Sequence, residues 1–266
     1  MGTVMKPNLQ FTLNLKIILA MLSLMFASVA AQAKPNEIAL QKQSLTEIQK
    51  RQICQKLNEE CKTQIDWRWY KAKNQTQYYL ISKLKMFQFD PQLQLSHQWD
   101  LATYQPRTQR ARWAMDQENE NEDSLYIFPK LYPINEQDYA VAVLQTWSEG
   151  YSGGGMSEEV ADIIHLKADN TVEKVFKNIP FSMSRMIRAC FSERDYESSH
   201  GKCHDEYNLS SWIQYQKPMD WKVKYQYDID LSNASDSNEK SGKYTQIYSL
   251  SKVGQTIELP RKWTGE

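Results

Sequence analysis

The sequence predicts an all-β protein: about twelve mostly antiparallel strands with one N-terminal helix, arranged as a sandwich, a barrel or an extended twisted sheet. Three observations predict it. From residue 65 to the C-terminus apolar and polar residues alternate with a period of two, the spacing of a half-buried strand. Short turn-forming stretches separate these runs, and no helix alternates with them, which excludes a βαβ chain. Eight Trp and fifteen Tyr supply the large flat side chains that pleated surfaces favour.

The chain opens with the pattern of an export signal. Lys6 and Lys16 form a basic region, residues 17–30 are apolar, and Ala31, Gln32 and Ala33 make an A-x-A cleavage site. The apolar run falls short of the ~20 residues of a membrane-spanning helix. Residues 1–33 are therefore expected to be a signal peptide and residues 34–266 a single β-rich domain, periplasmic or secreted. No cysteine precedes Cys54, which argues against a lipid-anchored product. Without Lys6 and Lys16, 30 of the 32 basic residues face 32 acidic ones, a net charge of −2. That balance offers no global attraction to nucleic acid or to an anionic membrane.

The elements follow in order. Ser44 and Glu47 read as a capping box opening a helix near 44–58, with Ile53 and Leu57 on one face. Ile65, Trp67 and Trp69 begin the first alternating strand. Tyr78, Leu80, Leu84 and Met86 read as one continuous strand, then residues 93–101 and 111–115 as two more. His97 falls on the apolar side of its strand, where a hydrogen-bonded core histidine is expected. Residues 116–123 are almost all acids and amides; they lack the spacing and glycine of a calcium loop and read as a solvated turn. Residues 139–147 are apolar at nearly every position and read as a central strand. A hairpin follows around residues 168–171. Trp221, Val223, Tyr225, Tyr227, Ile229 and Leu231 alternate strictly with polar residues and form the clearest strand.

Four cysteines in an exported chain imply disulfides, and the expected pairs are Cys54–Cys61 and Cys190–Cys203. The first pair requires the helix to stop near Asn58. Seven residues of intact helix rise about 10.5 Å, beyond the ~7 Å reach of bridged Cα atoms.

Two stretches carry the candidate site. One is the glycine cluster Gly150, Tyr151, Ser152, Gly153, Gly154 and Gly155, read as a Gly-rich loop that a ligand can approach closely. The other is the loop that Cys190 and Cys203 bracket, with Glu193, Arg194, Asp195 and His200. Pinning such a loop lowers the cost of ordering it on binding. Tyr151, Ser152, Gly153, Gly154, Glu193, Arg194, Asp195 and His200 are the expected binding residues. Arg185 and Arg188 are expected to meet Asp205 and Glu206 across paired strands.

Residues 150–154 also fit G-x-S-x-G. Over these five residues the chain resembles the nucleophile elbow of the α/β-hydrolases, which implies Ser152 as nucleophile with Asp195 and His200 as partners. The rest of the chain departs from that family, since no strand–helix alternation surrounds the motif. Cys190, His200, Cys203 and His204 have donors that suit zinc, but the exported address favours the disulfide. No metal and no cofactor is expected. The leading expectation is an exported, non-catalytic binding protein that recognises a protein or an envelope glycan. An inhibitor or immunity protein of an envelope-targeting enzyme is one concrete form, and an exported serine hydrolase is the alternative.

Overall fold

The computed structural model describes residues 2, 35–57, 66–102, 104 and 125–264. The signal segment, the expected strand at 111–115, the acidic run at 116–123 and Cys61 lie outside them. Residues Pro35–Glu266 group as one compact unit and Met1–Lys34 as another.

Thirteen strands form among the described residues. They are β1 (Ile38–Gln43), β2 (Arg68–Ala72), β3 (Tyr78–Ser82), β4 (Lys85–Phe89) and β5 (Leu95–Asp100), then β6 (Leu125–Ile127), β7 (Lys130–Pro133) and β8 (Tyr139–Tyr151). β9 (Gly154–Leu166), β10 (Val172–Arg188), β11 (His204–Lys217), β12 (Asp220–Asp230) and β13 (Gly242–Leu250) follow. The hydrogen-bonded order is β13-β12-β11-β10-β9-β8-β7-β1-β2-β3-β4-β5, with β6 beside the far half of β8. Every pair is antiparallel. The path ends at β13 and β5, so the sheet is open and not a barrel. It consists of two meanders, β2–β5 and β8–β13, joined where β1 pairs with β7 through Ile38↔Leu131.

The strands divide three cores between them. Along β8, Ala140, Ala142 and Leu144 face one core while Val141 and Val143 face another. β9 divides in the same way, with Ala161 and Ile163 against Ile164 and Leu166. That is why residues 139–144 lack alternation: this strand is buried on both faces. The first core lies under the long meander, where Tyr207, Leu209 and Ile213 of β11 meet Trp221, Val223, Tyr225 and Tyr227 of β12. The C-terminal segment closes it with Ile257, Leu259 and Trp263. In the second, Tyr70, Tyr79, Ile81, Met86 and Trp99 of the short meander pack against β8 and β9. The third lies on that meander's other face, between Trp69, Leu80, Phe87 and Phe89 and the helix residues Ile53 and Leu57.

That helix is α1 (Glu47–Leu57), and its cap lies two residues later than the expected Ser44. The box is Thr46 with Gln49: the Gln49 N–H donates to Thr46 Oγ1 (3.2 Å), and the Thr46 N–H donates to Gln49 Oε1 (3.0 Å). Residues 78–86 are two strands, not one. A tight turn with Lys83 at φ 50° separates β3 from β4, and Ile81 pairs with Met86. Two short helices that the sequence pattern does not predict, α2 (Glu193–Ser198) and α3 (Arg261–Thr264), also form. His97 is half-buried, stacks on Trp99 at 5.2 Å and contacts Asn170 Oδ1 through Nδ1 at 3.1 Å.

β10 runs for 17 residues and carries register shifts against β9 around Phe176, Ile179 and Pro180. Such bulges accommodate Pro180, which has no N–H for the ladder, and they bend the strand. The buried Asp162 of β9 binds the bent segment. Its carboxylate accepts from the Asn178 N–H (2.9 Å) and Tyr104 hydroxyl (3.0 Å) and pairs with Lys174 (2.8 Å).

Candidate functional site

The glycine cluster is not a loose loop. β8 continues through Gly150 and Tyr151, a two-residue turn at Ser152 and Gly153 reverses the chain, and β9 starts at Gly154. The ladder pairs Gly150 with Gly155 and Tyr151 with Gly154. On its other side β9 pairs Gly154 with Ile187 and Gly155 with Met186 of β10. The Arg188 N–H donates to the Gly153 carbonyl at 2.5 Å, and the Tyr151 hydroxyl donates to the Met186 carbonyl at 3.2 Å. Gly154 has φ +155°, and a Cβ there would sit 1.9 Å from the Met186 oxygen. Glycine is required because the β10 backbone runs directly against it.

β10 then delivers the chain to Cys190, which is fully buried. Its disulfide to Cys203 spans 5.0 Å between Cα atoms, and the Ala189 N–H donates to the Cys203 carbonyl at 2.9 Å. Neither thiolate is therefore available to a metal. Cys54 is not a free thiol either; its expected partner lies outside the described residues. The bracketed segment folds as α2. The Asp195 carboxylate accepts the N–H groups of Phe191 (3.0 Å) and Ser192 (2.9 Å), while Ser192 Oγ accepts the Asp195 N–H (3.3 Å). The segment is tied down on its far side. Lys202 pairs with Asp230, and the Lys202 carbonyl accepts from the Ser232 hydroxyl at 2.5 Å.

These bonds hold the Asp195 carboxyl below the usual carboxylate range, the Phe191 N–H first, then the Ser192 hydroxyl and N–H. The sign follows. A depressed folded-state value stabilises the fold above the ordinary value of 3.8 and stops doing so as pH falls through the lowered one. Asp195→Asn is expected to lower the denaturation midpoint at neutral pH. The gap between the two proteins should shrink steadily as pH falls below 3.8. A gap that is constant with pH would show that the cap carboxylate plays no such part.

The two expected stretches therefore meet at one end of the long meander. The arrangement there centres on Arg188, which the sequence places in a structural ion pair and not among the binding residues. Its Nε donates to the Cys190 carbonyl (2.7 Å), its Nη2 donates to the Tyr196 hydroxyl (2.9 Å), and its guanidinium lies 5.3 Å from the Phe191 ring centroid. Phe191 is 72% exposed and Tyr196 49%. Tyr151, Met186 and Ile187 are also exposed, so this end carries five of the ten large exposed hydrophobic side chains among the described residues. Glu193, Arg194 and His200 are exposed around them. Phe191 and Tyr196 were legible as aromatic residues inside or beside a charged, cysteine-bracketed segment; only the fold shows Arg188 joining them.

The expected ion pairs do not form. The strand register places Arg185 opposite Tyr207 and Arg188 opposite His204. Arg185 stacks on the Tyr207 ring at 4.2 Å. Asp205 instead accepts the Ser232 N–H (2.8 Å) and the Ser235 hydroxyl (2.6 Å). The hydrolase geometry is not formed either. The chain enters a strand after Ser152, where a nucleophile elbow needs a helix. The Asp195 carboxylate is occupied in its cap, and among the described residues no hydrogen bond links Ser152 to Asp195, His200 or His204.

Fold and site together define an open, antiparallel β-sheet protein whose disulfide-stapled end displays ordered aromatic side chains around an arginine. Comparison with protein-family models, curated proteins and solved structures finds no match to this chain. Among the described residues no helix is long and apolar enough to cross a membrane.

Proposed function

We propose that this is an exported, non-catalytic binding protein that recognises a protein partner in the cell envelope through its stapled end. The observation that carries this reading is the Arg188 arrangement: Phe191 and Tyr196 exposed, yet tethered to one guanidinium. Arginine and tyrosine are over-represented among residues that dominate protein interfaces. The disulfide, the Asp195 cap and the Gly153–Arg188 bond order the surface before contact, so little conformational freedom remains to be lost on binding. A projecting aromatic end suits a cleft in a partner. An inhibitor or immunity protein that occupies a cleft of an envelope-targeting enzyme has this form. The N-terminal pattern at Lys6, Lys16 and Ala31 to Ala33 supports export, with cleavage after Ala33.

The test is affinity capture from envelope extract, with the oxidised protein immobilised beside a Phe191→Ala/Tyr196→Ala variant. One stoichiometric protein that binds the wild type and is weakened about a hundredfold or more by the variant is the expected result. Equal capture by both would place the binding surface elsewhere. N-terminal sequencing of the exported protein should begin at Lys34; a start elsewhere would overturn the cleavage assignment.

A further inference from the structure

A second feature lies away from the stapled end, where the short meander faces the turns of the long one. It is a groove of about 580 Å³ between the β2–β3 turn, β4, β5 and the start of β8. That volume is within the about 300–1,000 Å³ typical of small-ligand sites. Four glutamines line it, Gln75, Gln77, Gln88 and Gln137, and their side-chain amides make no hydrogen bond among the described residues. Half-buried Tyr139 and His97 add ring surface, while Tyr79 and the Trp99 beneath His97 are buried in the floor.

We infer that this groove binds a neutral saccharide. The observation behind the inference is the pairing of unengaged amides with aromatic surface in one concavity. Each amide offers a donor and an acceptor side by side, which suits the neighbouring hydroxyls of a sugar ring. Aromatic rings cover the apolar C–H faces of the same sugar. The lining also excludes other classes. Among the described residues it contains no lysine or arginine, so none of them neutralises a phosphate or carboxylate. The only carboxylate among its described lining residues, Asp138, already accepts from Asn135 Nδ2 at 2.9 Å and would repel an anion. The Tyr79 hydroxyl stays a donor across the physiological range: burial, and then the neighbouring Tyr139, raise it well above the ordinary phenol value. The groove shares no residue with the stapled end, so the two sites succeed or fail separately.

The test titrates the oxidised protein with cellotriose, maltotriose and triacetylchitotriose, with trigalacturonate as the anionic control, following side-chain amide resonances by NMR. At least one neutral trisaccharide should shift the Gln77 and Gln88 amides saturably, with Kd near about 1 mM. Trigalacturonate should not. Gln77→Ala/Gln88→Ala should weaken binding about tenfold, as the loss of two neutral hydrogen bonds implies. Phe191→Ala/Tyr196→Ala should leave it unchanged. The inference is overturned if no neutral trisaccharide moves those resonances at about ten times that concentration, if trigalacturonate binds as well, or if the shifts map outside the groove. Should the glutamine variant fail to fold, the wild-type shift map alone decides.

Discussion

Gly154→Ala is expected to destabilise the protein by roughly 2–5 kcal/mol, through backbone strain and a steric clash acting together. The new methyl would stand 1.9 Å from the Met186 carbonyl oxygen, and φ +155° is a conformation that L residues rarely adopt. The clashing atom is backbone, so no side-chain rotation relieves it. Relief requires β10 to part from the hairpin between Met186 and Arg188. That movement would break the Arg188–Gly153 hydrogen bond and release the end of the sheet from which the disulfide segment starts. The neighbours provide internal controls. A Cβ at Gly153 meets nothing closer than 3.6 Å, and one at Gly150 meets nothing within 4 Å. Gly150→Ala and Gly153→Ala should therefore stay within about 0.5 kcal/mol of wild type. Urea denaturation of the three variants distinguishes them. Three similar midpoints would mean that the close approach at Gly154 is not what holds the hairpin to β10.

Cys190→Ser/Cys203→Ser is expected to cost about 2–5 kcal/mol of stability and to reduce partner binding further than stability alone explains. The bond closes a segment with a sequence separation of 13, for which chain entropy predicts about 3 kcal/mol. Packing gives little compensation. α2 has six residues with no buried side chain among them, and a helix that short does not persist in water by itself. Without the disulfide its position depends on the Ser192–Asp195 cap, the Arg188–Tyr196 bond and the Lys202 contacts on the far side. Serine is a gentle replacement, since the Ser199 hydroxyl lies 3.4 Å from both sulfurs and can serve the new hydroxyls. Denaturation midpoints report the first effect. Affinity for the captured partner, measured where both proteins are fully folded, reports the second. A lower midpoint with unchanged affinity would confine the disulfide to a structural role. Unchanged values of both would show that the segment orders itself without it.

What the sequence determined by itself is the set of properties that depend on neighbours two residues apart. The alternation from Trp221 to Ile229 named the buried face of β12 residue by residue, because side chains on a strand point to opposite sides in turn. The unbroken apolar run at 139–144 marked a central strand, and the structure shows why: β8 divides two cores. The pairing of Cys190 with Cys203 was legible because two cysteines flanked a charged segment between two strands. Helix α1 was read with its cap displaced, since Ser44 and Thr46 both offer a hydroxyl three residues before an acid or amide.

What only the tertiary structure decided is which strand lies beside which. A period of two specifies a face, not a neighbour. No local pattern joins β1 to β7, yet that pairing is what links the two meanders into one open sheet. The same limit hid the split of residues 78–86, where a left-handed Lys83 makes a turn that its residue type does not advertise. It made the glycine cluster look like a loop, because its place in the ladder depends on β10, more than thirty residues onward in the case of Gly154 and Ile187. It also concealed both candidate sites. Arg188 reaches Phe191 and Tyr196 where the chain turns from β10 into α2. The glutamines at 75, 77, 88 and 137 come together only once the two meanders are joined. A turn into α2 creates the first surface and contacts between distant strands the second, and neither has a periodicity to read.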